Sequence, residues 1–225
     1  MKNSKGFSLI ELMISTTLLA GVLYLGTFSY GLISSIWNRS STEFDSSFTQ
    51  GKNLYILQKV IGGISPYVIS GSNNIPAFYF VGGKSSLLSF SNISPYSAQT
   101  PEFFRIYSTI DSDGKVDVIY QSVPAAETLL TDTKDEITLN QTITLLKGLD
   151  EFKIEYYGWK NLTSKTGNKA KSFRKWFEIF SGIDNQILPE LIKCTLVKGG
   201  IKLEFYTTLD ISSEKWLSQY YYEND

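Results

Sequence analysis

Apolar and polar positions divide the chain into two stretches of different period. Leu12 to Asn38 is a run of 27 residues without Asp, Glu, Lys or Arg. As a helix at about 1.5 Å per residue it would reach about 40 Å, more than the hydrocarbon thickness of a bilayer. No proline interrupts Phe7 to Ser65, and Phe44, Phe48, Leu54, Tyr55, Leu57 and Ile61 fall on a broad face at helical spacing, so the helix is expected to continue to about Ile61. Gly62-Gly63 then ends it. From Ser65 onward the period shortens. Strands are expected at Phe78–Val81, Leu87–Ser91, Phe103–Tyr107, Val116–Gln121, Thr142–Lys147, Phe152–Tyr157, Leu191–Val197 and Ile201–Thr207. Two joints carry hairpin chemistry: Asp111-Ser112-Asp113-Gly114 before Val116, and Gly199-Gly200 between the last two strands. The expected fold class is α+β, a long N-terminal helix packed on an antiparallel β-sheet domain.

Composition limits what such a chain can do. It has 225 residues, 42% hydrophobic and 14% aromatic, enough for one globular domain with a real core after the helix. A net charge of −1 and a pI near 5.6 give no overall attraction to nucleic acid or anionic lipid. With no histidine, Ser-His and Cys-His nucleophile pairs and the commonest transition-metal ligand are absent. The single cysteine, Cys194, cannot form an intrachain disulfide, and its alternation with Lys193 and Thr195 suits a buried strand position. Asp132, Asp135 and Glu136 are expected to form a solvated turn. The Asp111–Gly114 run fails the calcium-loop template, which would put Thr109 at the first ligand position and Tyr120 at the last. Neither an enzyme nor a cofactor is expected.

The residues ahead of the apolar run are Lys5-Gly6-Phe7-Ser8-Leu9-Ile10-Glu11-Leu12-Met13. An ordinary secretory signal is cut after its apolar region, whereas here the candidate cut between Gly6 and Phe7 lies before it, so the helix stays in the mature protein. This segment resembles the prepilin signature of the type IV pilin and type II secretion pseudopilin superfamily. The resemblance implies that a prepilin peptidase removes residues 1–6 and that the new amino terminus on Phe7 is methylated. It also implies that Glu11, fifth after the cut, pairs with the amino group of a neighbouring subunit during assembly. A carboxylate at the bilayer centre costs something like 2.5–3.5 kcal/mol on insertion scales, so its presence calls for such a partner. Lys2 and Lys5 precede the span and no basic residue follows before Arg39, which keeps the leader cytoplasmic and exports the remainder. The expected organisation is leader 1–6, membrane and assembly half of the helix 7–38, amphipathic half 39–62, and a periplasmic β-rich domain 63–225.

A second resemblance covers part of the domain. Leu145-Leu146, Gly148-Leu149, Phe152, Ile154 and Tyr156-Tyr157, then Trp159, a basic insert, Trp176, and Leu188-Pro189 with Ile192 and Leu196, are similar to the minor pseudopilin J family of type II secretion and its type IV minor-pilin relatives. It implies a subunit at the tip of a short periplasmic pseudopilus. The expected partners are prepilin peptidase, other minor and major pilins or pseudopilins, inner-membrane lipid and the inner-membrane assembly platform. A minor pilin of a type IV pilus or of a competence system is the alternative. The competence alternative rests on residues 160–175, which carry six basic residues and no acidic one. Among them Lys165, Lys169, Lys171 and Arg174 form a candidate basic contact loop, flanked by Trp159, Phe173 and Trp176. Basic groups interleaved with aromatics suit a nucleic-acid backbone and stacked bases, but a loop anchored by its tryptophans is favoured because the domain is not basic overall.

Overall fold

The computed structural model describes residues 9–71, 74–96, 100–166, 174–209 and 212–221, with side chains except at 32–48, 213, 214 and 221. The chain forms two compact units, residues 1–49 and 50–225. Helix α1 (Leu9–Gly62) supplies the described part of the first unit and, from Gln50, the opening element of the second.

In the first unit α1 is apolar on all sides from Leu9 to Gly31, and none of that stretch is buried within the chain. The threonine hydroxyls in that stretch are satisfied by its own backbone. Thr17 Oγ1 donates to Met13 O at 2.8 Å and Thr27 Oγ1 to Leu23 O at 2.7 Å, while Thr16 Oγ1 reaches Leu12 O at 3.0 Å. Back-bonding to the preceding turn removes the cost of placing a hydroxyl in an apolar medium.

The second unit is built from short antiparallel strands, as expected: β1 (Val68–Ser70), β2 (Pro76–Phe78), β3 (Phe80–Gly82), β4 (Ser86–Ser91), β5 (Glu102–Ile110), β6 (Val116–Pro124), β7 (Gln141–Leu149), β8 (Glu151–Gly158), β9 (Lys175–Phe177), β10 (Phe180–Ser181), β11 (Leu191–Lys198) and β12 (Ile201–Thr208). Among the described residues the further α-helices are α2 (Leu162–Thr166), α3 (Gly182–Asn185) and α4 (Ser213–Tyr221). The strands make a β1-β2 hairpin, a six-stranded sheet in the order β10-β3-β4-β5-β6-β7, and a four-stranded sheet in the order β12-β11-β8-β9. Both hairpin joints form. Gly114 has φ 74°, and Asp111 Oδ1 accepts from Asp113 N at 2.9 Å and Lys115 N at 2.8 Å, so this carboxylate is used within the turn. Gly199 and Gly200 have φ 58° and 79°, the left-handed pair a two-residue hairpin needs.

One core joins α1 to both sheets. Leu57, Val60 and Ile61 of the helix pack with Phe80, Leu87, Phe104, Ile106, Val118 and Tyr120 from the larger sheet and with Phe152, Ile154, Tyr156, Ile192, Cys194 and Leu196 from the smaller one. Cys194 lies in this core, as expected of its strand position. A smaller cluster of Ile69, Phe103, Val123 and Leu130 covers the other face of β5 and β6. At the end of α1, Ser91 Oγ donates to Val60 O at 3.0 Å and Asn92 N to Gly63 O at 2.9 Å. Gly63 permits this approach: a Cβ there would lie 2.7 Å from Ser91 Oγ and 2.8 Å from Ile93 Cγ1.

Two expectations change. Phe78–Val81 is not one strand, because β2 pairs with β1 while β3 pairs with β4. The chain passes between sheets at Tyr79, whose N–H goes to Tyr67 O at 2.9 Å and whose ring meets Phe103 edge-on. Tyr55, placed on the buried face by its spacing, is 59% exposed, and Val60 is buried in its stead. Residues 54, 57, 60 and 61 keep to one stripe, whereas 55 lies about 100° round the helix from 54. At the far end of the unit, α4 seats Leu217 in the core and leaves Tyr220 40% exposed. Phe44 and Phe48 lie outside the residues with described side chains.

Candidate assembly site

The chemistry expected at the N terminus falls on two kinds of residue. Gly6 and Phe7, the expected cleavage and methylation positions, lie outside the described residues. Glu11 is inside them, in the first turn of α1, where the exposed amide groups favour an acid. Around and beyond it run Leu9, Ile10, Leu12, Met13, Ile14, Leu18 and Leu19, each at least 55% exposed. So large an apolar surface is stable only when lipid or other helices cover it. The stretch Leu9–Gly31 is long and apolar enough to cross a membrane once.

The basic insert is only partly described, since Lys169, Lys171 and Phe173 lie outside the described residues. Two of its described cations lie against a tryptophan of the chain itself. Trp159 is 5% exposed, with the Arg174 guanidinium carbon 4.3 Å and the Lys165 ammonium 5.1 Å from its ring centroid. Arg174 Nε also lies 3.4 Å from Glu190 Oε2. The ring that would have stacked a base is therefore taken up by the chain's own cations. Trp176 is 41% exposed and lies on the outer face of the four-stranded sheet, 5.2 Å from Tyr157 and 6.3 Å from Tyr206. Lys193 covers it at 5.2 Å.

That outer face balances its own charge. Lys153 Nζ is 3.1 Å from Glu155 Oε1 and 2.7 Å from Glu178 Oε1, Lys193 pairs with Glu155, and Lys202 Nζ is 2.7 Å from Glu204 Oε1. The hydrogen bond from Lys193 holds the Glu155 carboxyl below the usual carboxylate range, and Lys153 does the same for Glu178. The acidic cluster at Asp132 and Asp135 forms a turn as expected: Asp135 Oδ2 accepts from Thr131 N at 2.8 Å and Asp132 N at 2.9 Å. Those bonds lower its pKa. Among the described residues no group of His, Cys, Asp or Glu is arranged to hold a metal ion.

One buried polar group escaped the sequence reading. Glu102, 1% exposed, accepts a hydrogen bond from the Tyr120 hydroxyl, with Ser94 and Ser122 adding further bonds. Burial pushes the carboxyl up and the Tyr120 phenol up as well. The signal was parity: Glu102 shares its strand face with Phe104 and Ile106, both fully buried. The Tyr120 ring lies nearly parallel to Phe104, centroids 5.7 Å apart.

No curated protein sequence matches the chain. Residues 1–20 match the family described as the prokaryotic N-terminal methylation motif. The chain thus carries a prepilin-type N terminus ahead of an apolar helix and an antiparallel β domain, and the motif indicates a type IV pilin-like protein.

Proposed function

We propose that the chain is a structural subunit of a pilin-type filament, whose biochemical act is assembly. The observation that carries this reading is the conjunction at the N terminus: a methylation motif over residues 1–20 runs directly into an apolar helix that nothing in its own unit covers. In this reading a prepilin peptidase cuts between Gly6 and Phe7, and the amine of Phe7 is methylated, which keeps its positive charge. Leu9–Gly31 holds the subunit in the inner membrane, leader inward and β domain outward, until an assembly platform draws it into a helical bundle. Lipid and neighbouring helices are about equally apolar, so transfer between them costs little hydrophobic energy, and close packing with polar pairing directs association. Glu11 supplies that pairing by meeting the Phe7 amine of an adjacent subunit in a medium where an uncompensated carboxylate is expensive.

For the finer assignment, the two tryptophans around the basic insert and the Leu188-Pro189 entry to β11 support a minor pseudopilin of the J kind at the tip of a type II secretion pseudopilus. The alternative is a minor pilin of a type IV pilus. The competence form of that alternative loses support from Trp159, which is enclosed by Lys165 and Arg174. Co-expression with a prepilin peptidase tests the central step: the mature chain should begin at Phe7 carrying one added methyl by mass, and Gly6→Ala should leave the band unshifted. Glu11→Leu should insert and be cleaved yet fail to enter filaments. A native protein whose first residue is Met1, or normal filaments from the Glu11 variant, would overturn the respective step. Co-purification with secretion pseudopilins rather than pilus subunits would support the tip assignment.

A further inference from the structure

Among the strands that close the two larger sheets, β9 and β10 have three and two residues, so two long edges remain, β7 and β12. They are treated differently. On β7, Asn53 Nδ2 donates to Leu145 O at 2.8 Å and Lys198 Nζ to Lys147 O at 3.0 Å, so side chains occupy carbonyls along that edge. On β12 no such cap occurs among the described residues. The two-residue loop Gly199-Gly200 closes on the pair Lys198 and Ile201. This turns the odd-numbered residues of β12 toward β11 and leaves the N–H and C=O groups of Lys202, Glu204, Tyr206 and Thr208 on the outer edge. An eight-residue edge without proline is a template for another strand.

The side chains beside that edge are unfinished in the same sense. Ile201 is 77% and Leu203 44% exposed, although both lie on the face that in β11 and β8 is core. With Leu54, Leu146, Leu149 and Leu196 they line a predominantly apolar groove of about 350 Å³. Thr207, farther along the same face, has a buried hydroxyl with no hydrogen-bond partner. Backbone, apolar groove and buried hydroxyl all border one strand.

We propose that β12 pairs antiparallel with β12 of a second copy of this chain, in the register that sets Leu203 opposite its own counterpart. In that register Lys202 faces Glu204 of the second copy and Glu204 faces Lys202, while on the groove side Ile201 faces Phe205. The charges select it. A slip of two residues opposes Lys202 to Lys202 in one direction and Glu204 to Glu204 in the other, and a slip of one residue sets the charged face against the apolar one. A slip of four gives up both Lys–Glu pairs. Two copies anchored in one membrane would meet at high effective concentration, so a short strand pair suffices. The strand pair lies within the unit at 50–225, rests on the membrane anchoring proposed above, and stands whether or not the chain enters filaments.

The test is cross-linking of the full chain in native membranes. Leu203→Cys should give a disulfide-linked species on mild oxidation, reversed by thiol and shown by mass to contain two copies of this chain. Cys194 is fully buried and does not interfere. Ile110→Cys, 77% exposed against 44% for Leu203 but on β5, should not cross-link. In the Leu203→Cys background, Lys202→Glu alone and Glu204→Lys alone should each lower the yield about tenfold, and the double exchange should restore it. A homodimer yield no higher than that of Ile110→Cys overturns the proposal. So does cross-linking exclusively to a different protein, or failure of the double exchange to rescue while all variants retain the unfolding midpoint of the parent.

Discussion

Truncating Leu57 tests how the second unit is held together, because the helix contributes a narrow stripe to the core. Leu57 is fully buried among side chains from both sheets. Leu57→Ala removes three carbon groups, worth about 0.8 kcal/mol each or about 2.4 kcal/mol in transfer alone. Neighbours from two sheets and the helix cannot all relax into the gap, so a cavity contribution raises the expected loss to about 3–4 kcal/mol. For a unit of this size each kcal/mol lowers the midpoint by about 2–4 °C, giving an expected drop of about 6–16 °C. Tyr55→Ala is the control. Tyr55 is 59% exposed and touches Lys59 across 5.3 Å, so its removal should cost below about 1 kcal/mol. Thermal unfolding of the full chain in detergent, followed by tryptophan fluorescence with the buried Trp159 as reporter, measures both variants. Equal losses at the two positions would refute the assigned helix phase.

Three other outcomes follow from the same packing. Gly82→Ala would drive a methyl into the Tyr156 ring, whose hydroxyl donates to Gly83 O and Ser86 O at 3.1 Å each, and should cost about 1–3 kcal/mol in urea unfolding. Glu102 has a folded pKa raised by burial, so its favourable contribution is complete below the ordinary carboxylate pKa and is lost as pH rises through the raised value. Glu102→Gln should therefore gain stability relative to the parent between about pH 4.5 and neutrality, and a difference that shrinks as pH rises would contradict the assignment. Glu155 runs the opposite way: with its folded pKa lowered by Lys193, its contribution is present above the ordinary value and disappears as pH falls through the lowered one. Glu155→Gln should flatten the acid limb of the pH–stability curve, and an unchanged acid limb would count against the Lys193 pairing.

Local chemistry made the ends of the argument legible in the sequence. An uncharged run of 27 residues announces a helix that must be covered, glycines at Gly63, Gly114, Gly199 and Gly200 mark the stops and turns, and alternation around Cys194 marks a core strand. These signals are written in neighbours a few residues apart, where helical and strand periods act directly. What depended on residues far apart in sequence was decided only by tertiary packing. Tyr55 and Leu57 carry similar apolar weight, yet only Leu57 is buried in the core. Phe78 and Phe80 belong to one extended segment, yet pair with different strands. Trp159 and Arg174, fifteen positions apart, left both an anchored loop and a nucleic-acid surface open, with the loop favoured, and the fold put one on the other. Burial of Glu102 and the open edge of β12 likewise exist only once the strand order is set, because burial and edge position are properties of what lies alongside a residue rather than of the residue itself.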